Sequence, residues 1–355
     1  MADVNELLQR HAAFWHHERQ GEPLMCLRAF RYGQTFDNQD VRYRRPFENQ
    51  DVVPDMLDVE ALTPEVGTRD WRKSLVQGDL FHGEFPFSRI PWMEAIVGCE
   101  IHSGTDEAMW ARPALGPSFE GIERIVPTDD NPWLRKLLGL TQALVDANDG
   151  SYLVTPTLLR GPIDILSALL GDERMGLAFF DAPDKVDDAL ARATEAFIKV
   201  ARAQLALIPA FHGGWGCWLY GLWAPGSMMR FQSDSASQLS PAMYRERILP
   251  HDREIMRAFE YSIIDLHSAG TLHIHRALMD TPELDVISVT MDRYANAPGL
   301  DELLPIFAEI LEAKSLSVFG EMTMAEVDRL RQALPTPSLC INASVTEKLL
   351  FERPV

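Results

Sequence analysis

Several apolar runs in the second half of the chain end in acidic, basic or imidazole side chains. The candidate catalytic residues at these positions are His267, Asp234, Asp292 and Glu321. An imidazole titrates near neutral pH and a carboxylate can accept or orient a proton, so the set could supply an acid, a base or a ligand. Packing alternatives stay open: His267 could be a core histidine, Asp292 could form an ion pair, and Asp234 and Glu321 could cap helices.

Three side chains also form a candidate zinc set. His267, Asp292 and Cys340 come from three different strand ends, and a catalytic zinc site holds three protein ligands with one open position. The sequence contains no HExxH or HxxxH element that would place two ligands on one helix. Cys340 could equally be a small hydrophobic residue of the core.

Another group of residues could bind a substrate. The candidates are Arg230, Ser235, Arg89, Tyr220 and Trp223. A guanidinium binds anionic groups, whereas the aromatic side chains could form a pocket wall or belong to the core.

These residues require a framework that brings strand ends together. The sequence predicts strands at Trp215–Trp223, Ser262–His267, Leu284–Thr290, Ser315–Phe319 and Ser338–Ile341. It predicts helices at Pro241–Phe259, around Leu272–Met279, at Leu300–Ala313 and at Met324–Ala333, with Ser240 as an N-cap before Pro241. Strands that alternate with helices in this way indicate a parallel sheet.

We therefore predict an α/β fold, a (β/α)₈ barrel whose active site lies at the C-terminal ends of the strands. An open doubly wound sheet is the rival, but the sequence has no GxGxxG or GxxxxGK[ST] motif for a nucleotide. Residues 1–70 are polar and irregular and are predicted to form an extension or cap packed on a barrel of residues 71–355, as one domain overall.

The amino-acid composition bears on which classes of partner and which location are expected. The 355-residue chain has 33 Lys and Arg against 52 Asp and Glu, a formal net charge of -19, so nucleic acid and anionic membranes are not expected partners. A small-molecule substrate is expected, and a homodimer is left open. No apolar run approaches the roughly 20 residues of a membrane span. The four separated cysteines suit a reducing compartment, so the cytoplasm is the expected location.

Longer stretches of the chain resemble a known family. The run APGSMMRFQSDSASQLSPAMYRERILPHDREI, followed by IDLHSAG and LDVISVTMD, resembles the uroporphyrinogen decarboxylase superfamily, as do SYLVTPTLLRGPIDILSALLGDERM and PWMEAIVGCEI. The resemblance covers roughly residues 85 to 345. It implies a (β/α)₈ barrel and either porphyrinogen decarboxylation or zinc-dependent methyl transfer with corrinoid proteins.

The chain departs from both branches. Arg89 stands where the decarboxylases carry an aspartate, and LRAFRYG replaces their arginine-rich N-terminal segment. In the methyltransferase branch, the resemblance implies zinc ligands near His267, Asp292 and Cys340, but Ala269 replaces the first cysteine.

The expected function is a methyl or other one-carbon transferase acting on a small substrate, assisted by a metal and linked to a corrinoid protein. The alternatives are a decarboxylase of a porphyrinogen or other polycarboxylate, which needs no cofactor, and a barrel that binds a ligand without catalysis.

Overall fold

The computed structural model describes residues 3–30, 47–63, 75–104, 108–116, 118–217, 221–294 and 296–346. Over these residues the chain is a mixed α/β fold built around an eight-stranded sheet. With elements numbered along the chain, the spatial order is β3 (Leu75–Gly78), β1 (Leu24–Phe30), β15 (Leu339–Thr346), β14 (Ser315–Glu321), β13 (Val286–Met291), β12 (Tyr261–His267), β11 (Met228–Gln232) and β8 (Leu159–Arg160). Every neighbouring pair is parallel except β3 with β1.

Short strands form three smaller sheets. These strands are β2 (Gln50–Val52), β5 (Glu100–Ser103), β6 (Met109–Arg112), β4 (Gly83–Glu84), β7 (Leu153–Val154), β9 (Trp215–Gly216) and β10 (Trp223–Ala224). Strands β2, β5 and β6 are antiparallel, β4 pairs with β7 in parallel, and β9 pairs with β10. Within the described ranges no ladder joins β3 to β8, so the parallel sheet is confirmed and closure of the barrel stays a prediction.

Helices connect the strands. They are α1 (Val4–Trp15), α2 (Val59–Leu62), α3 (Trp92–Ile96), α4 (Pro132–Asp146), α5 (Pro162–Leu170), α6 (Asp172–Asp181), α7 (Pro183–Leu207), α8 (Pro241–Met243), α9 (Leu249–Arg257), α10 (His275–Met279), α11 (Leu300–Ala313) and α12 (Met324–Ala333). The predicted bounds of α11 and α12 are confirmed. Ser240 caps α8 as predicted, because its hydroxyl accepts a hydrogen bond from the backbone N–H of Met243.

One predicted strand is wrong. Trp215–Trp223 is not continuous, since β9 and β10 lie at its two ends and pair with each other in an antiparallel hairpin. The strand that enters the main sheet is β11, which contains Arg230, so this arginine lies inside a strand rather than after one.

The two faces of the main sheet have different neighbours. One face is mainly apolar and packs against the helices, as Phe231, Ile264 and Val289 do in the largest core cluster. On the opposite face, Ile263 and Val286 pack with α1 at the N-terminal end of the strands. Because side chains alternate along a strand, this second face also carries the residues two and four positions further on, towards the strand ends.

The N-terminal segment covers the N-terminal end of the strands and adds a strand to the sheet. Trp15 of α1 stacks edge-on against Tyr261, the first residue of β12, and Ser315 at the start of β14 donates a hydrogen bond to the carbonyl of Phe14. Strand β1, within the predicted extension, pairs in parallel with β15 over its full length. A functional site is therefore expected at the opposite, C-terminal end of the sheet.

None of the described helices is long and apolar enough to cross a membrane.

A buried carboxyl group lies on α9. Asp252 is fully buried, and the hydroxyl of Tyr244 donates a hydrogen bond of 2.6 Å to it. Tyr244 begins the π-helical turn Tyr244–Ile248 that joins α8 to α9. Burial raises the pKa of Asp252 to about 7, although the hydrogen bond from Tyr244 acts in the opposite direction.

We expect Asp252→Asn to remove a pH dependence from the free energy of unfolding. The native carboxyl group keeps its proton up to about pH 7 and the unfolded one loses it near 3.8, so wild-type stability falls as the pH rises between these values. Relative to wild type, the variant should gain about 1–3 kcal/mol between pH values near 4.5 and 7.5. Urea denaturation measures this. Glu254→Gln, exposed on the same helix, is the control, and equal pH slopes for wild type and Asp252→Asn would contradict the assignment.

Candidate active site

His267 is the last residue of β12 and is held by the turn that follows it. Its backbone N–H donates to the hydroxyl of Thr271 at 2.8 Å, and its carbonyl accepts from the N–H groups of Gly270 and Thr271. Its side chain is 41% exposed. The imidazole therefore lies at the C-terminal edge of the sheet, fixed at its backbone and reachable from solvent.

Asp292 orients the imidazole from the neighbouring strand. Thr290 of β13 is in register with His267, so Asp292, just after β13, lies beside the ring. Its Oδ1 is 2.8 Å from His267 Nδ1, while its Oδ2 accepts from the N–H of Ala269 at 2.9 Å and from the hydroxyl of Ser268. These bonds fix the carboxylate, which in turn directs Nε2 away from Asp292.

Asp234 faces the other nitrogen of the ring. Its Oδ1 is 3.9 Å from His267 Nε2 and has no hydrogen-bond partner within the described residues, while the side-chain amide of Gln232 donates to its Oδ2. Burial raises the pKa of Asp234, although the charges of His267 and Arg160 lower it. A small polar group that forms hydrogen bonds with both side chains could bridge Asp234 Oδ1 and His267 Nε2.

Asp164 holds the segment that carries Asp234. Its two oxygens accept hydrogen bonds from the backbone N–H groups of Asp234 at 3.1 Å and Ser235 at 2.7 Å. Asp164 reaches them from α5 because Gly161 lies against β11, donating to the carbonyl of Gln232 at 2.8 Å. A Cβ at Gly161 would come within 2.9 Å of that carbonyl. Burial raises the pKa of Asp164 to about 7, and the charge of Asp234 adds to this shift.

The environment of His267 favours the protonated ring. Burial alone would lower its pKa, but the hydrogen bond with Asp292 and the charges of Asp234, Asp292 and Asp265 raise it above the usual value. An imidazole held by one carboxylate and facing a second can donate a proton from Nε2 and take it back, which is general acid–base chemistry.

Two ion pairs lie below this array. Arg230 of β11 pairs with Asp265 of β12, and their side chains are 5% and 7% exposed. Arg160, at the end of β8, has a side chain that is 46% exposed and pairs at 3.0 Å with Glu94 of α3, which is 1% exposed. Each of these arginines therefore has a carboxylate partner inside the protein.

The structure places the other predicted residues at several positions. Glu321 ends β14 on the same face as His267, because Phe319 is in register with Thr290, but its side chain is exposed and its carbonyl accepts a hydrogen bond from Arg293. Arg89 is half-buried in the turn between β4 and α3. Trp223 lies against α1, where its carbonyl accepts from the indole N–H of Trp15, so it is not beside His267. Tyr220 lies outside the described residues.

The predicted zinc set is not assembled. Register makes Cys340 level with Ser317, Ser288 and Asp265, two residues below His267. Burial raises the pKa of the Cys340 thiol well above its usual range. In the part of the chain that the structure describes, no three His, Cys, Asp or Glu side chains are grouped to hold a metal ion.

Sequence reasoning missed Asp164 and Asp265. Asp265 did leave a trace in the sequence, because it is a charged residue inside the apolar run IDLH, two positions before His267 and therefore on the same face. Asp164 left none, since an aspartate in the first turn of a helix is ordinary.

Comparison with known proteins supports the fold. No family model and no curated protein matches the chain. The chain is similar in structure to a methyltransferase from Methanosarcina mazei, with a TM-score of 0.62 and 13% identity over 96% of this chain and 93% of that one. A B12-independent methionine synthase from Shewanella sp. W3-18-1 matches with a TM-score of 0.39 and 12% identity over 60% and 62% of the two chains, which is too distant to carry weight. At these identities the first likeness concerns the fold, and it agrees with the fold that the resemblance to the uroporphyrinogen decarboxylase superfamily implied.

We expect Asp292→Asn to lower the pKa of His267. The substitution removes a negative charge 2.8 Å from Nδ1, and this hydrogen bond is the main influence that raises the pKa. Titration of the His267 ring signals by NMR measures the shift. Glu321→Gln, an exposed carboxylate at the same end of the sheet, should cause a much smaller change. An unchanged His267 titration in Asp292→Asn would mean that the pair is not formed in solution.

Proposed function

We propose that this protein is an enzyme of the uroporphyrinogen decarboxylase type of fold that transfers a methyl group between heteroatoms of small substrates. His267 acts as the acid, Asp292 positions it, and Asp234 is the base. The observation that carries the proposal is the array of Asp292, His267 and Asp234, with distances of 2.8 Å and 3.9 Å, at the C-terminal end of the sheet. Active sites of parallel barrels lie at this end.

The likeness in fold to a methyltransferase over nearly the whole of both chains supports the choice of reaction. Folds of this kind host many chemistries, so the argument for catalysis rests on the array itself and the fold guides only the reaction class.

The array can balance the protons of such a transfer. The bond between the donor heteroatom and the methyl carbon breaks with its electron pair left on the heteroatom, which takes the proton from His267 Nε2. The acceptor heteroatom forms a bond to the methyl carbon with its lone pair and releases its proton to Asp234. The raised pKa of His267 favours the protonated acid, and the unpartnered Oδ1 of Asp234 can accept a proton.

The pairing of the arginines disfavours decarboxylation of a polycarboxylate. Such a substrate needs cations for its carboxylates, but Arg230 and Arg160 already pair with Asp265 and Glu94. Leaving Asp265 buried and unpaired in order to bind a substrate carboxylate would cost several kcal/mol.

The proposal assigns no step to zinc and includes a corrinoid only as a methyl donor to be tested. Because the described residues do not group three metal ligands, no step is assigned to zinc. A methylated corrinoid is one donor that the assay below should include.

We expect His267→Ala to lower the rate of methyl transfer by about a hundredfold or more, because the leaving heteroatom loses its acid. The assay follows a deuterated methyl group by mass spectrometry from methoxy, methylthio, N-methyl and methylcobalamin donors to thiol and amine acceptors. His273→Ala, which changes a histidine bonded to backbone carbonyls outside the array, is the control and should retain activity.

The pH profile gives a second readout. The rate should fall on the alkaline side as His267 loses its proton, and Asp292→Asn should move that fall to lower pH because it lowers the His267 pKa. Transfer that is equally fast in His267→Ala, or no transfer by the wild-type protein from any donor, would refute the proposal.

A further inference from the structure

The face of the sheet that carries His267 also carries buried polar atoms that the proposed proton transfers do not use. Asp265 Oδ1, Ser288 Oγ and both side-chain amide atoms of Asn342 have no hydrogen-bond partner among the described residues. The three residues are 5%, 2% and 0% exposed. An unmet buried polar group costs about 1–3 kcal/mol, so a cluster of them indicates a place where something else supplies the partners.

Strand register brings these atoms to one surface. Asp265 pairs with Ser288, and Ser288 pairs with Ser317. Asn342 pairs with Phe319, two residues beyond Ser317 and therefore on the same face. The surface extends from β12 to β15, with Asn342 level with His267 and with Asp265 and Ser288 two residues below it.

Residues without unpartnered polar atoms border this surface. Cys340 is level with Ser317, and the hydroxyl of Ser317 is hydrogen-bonded to the Cys340 thiol. Closer to the start of the strands, Ile263 and Val286 form an apolar layer against α1. The unpartnered atoms thus form a polar layer above this apolar floor, from two residues below His267 up to its own level.

We infer that this layer binds the neutral, hydrogen-bonding part of the substrate, a carboxamide, lactam or ureide group held by Asn342 and Ser288. The inference rests on the proposed function for the position of the reacting end. Asn342 offers one donor and one acceptor side by side, which is the complement of a neighbouring C=O and N–H. Arg230 and Asp265 cancel each other's charge, so the layer favours a ligand group without a net charge.

The dimensions suit a single small ring. Asn342 is level with His267 and three strands away, about 14 Å along the sheet. A heterocycle between them, with its amide edge on Asn342 and Ser288, would present its heteroatom to His267 and Asp234. The substrate class is therefore a methylated heterocycle that contains an amide or ureide edge.

Binding of hydantoin, a cyclic ureide, tests the layer without any methyl transfer. Calorimetry should detect saturable binding to the wild-type protein, and binding at least about fivefold weaker for Asn342→Leu and Ser288→Ala, since each loses hydrogen bonds to the ring. The matched control is Ser317→Ala, because its hydroxyl is already satisfied by Cys340, and it should bind as the wild type does. On the ligand side, 1,3-dimethylhydantoin lacks both N–H donors and should bind at least about fivefold more weakly.

Thermal unfolding shows whether a variant that loses binding has also lost stability. Asn342→Leu and Ser288→Ala should keep the wild-type Tm or raise it, because they remove polar atoms without a protein partner. A lower Tm in both variants would mean that fixed structural water satisfies these atoms, and would overturn the inference. Absence of saturable hydantoin binding to the wild type, or equal affinity in the variants, would overturn it too. The binding assay needs no turnover. Failure of the hydantoin test can therefore be told apart from failure of the methyl-transfer assay, because either assay can succeed when the other fails.

Discussion

Parallel pairing between β11, β12, β13, β14 and β15 is the constraint on which the site depends. With His267 in register with Thr290, Asp292 can approach the imidazole only because each strand ends at nearly the same height. A shift of one residue in either strand would turn one of the two side chains to the helix-covered face. The apolar residues on that face, such as Ile264 and Val289, are fully buried, so the same hydrophobic burial that stabilises the sheet also sets the register of the site.

The polar face is stabilised differently. Its starting end is packed against Phe14 and Trp15 of α1, its middle holds the ion pair of Arg230 and Asp265, and its far end holds the ionisable array. A buried ion pair contributes little net stability, because desolvation of both charges offsets their attraction. Unpartnered atoms of Ser288 and Asn342 add a cost. A fold that retains these groups in its interior gives up stability at the proposed site, as functional sites commonly do.

The carboxylates around His267 are held in different ways by their surroundings. Asp292 is bound by two N–H or O–H donors besides the imidazole and can do little except orient it. Asp234 keeps one oxygen without a partner and faces Nε2. Both oxygens of Asp164 accept hydrogen bonds from backbone N–H groups, so Asp164 holds the segment that carries Asp234. Carboxylates held in such different ways can divide acid–base work and positioning among themselves.

The sequence alone predicted the elements whose formation is local. Helices α11 and α12 follow from apolar periodicity and capping, and the positions of His267 and Asp292 at strand ends follow from short apolar runs with polar residues after them. Only the tertiary structure decided which strand ends meet and at what height. It made a pair of Arg230 and Asp265, set Cys340 below the imidazole, and brought Asp164 to the loop of Asp234. These relations depend on register and packing between segments far apart in the chain, which local periodicity does not encode.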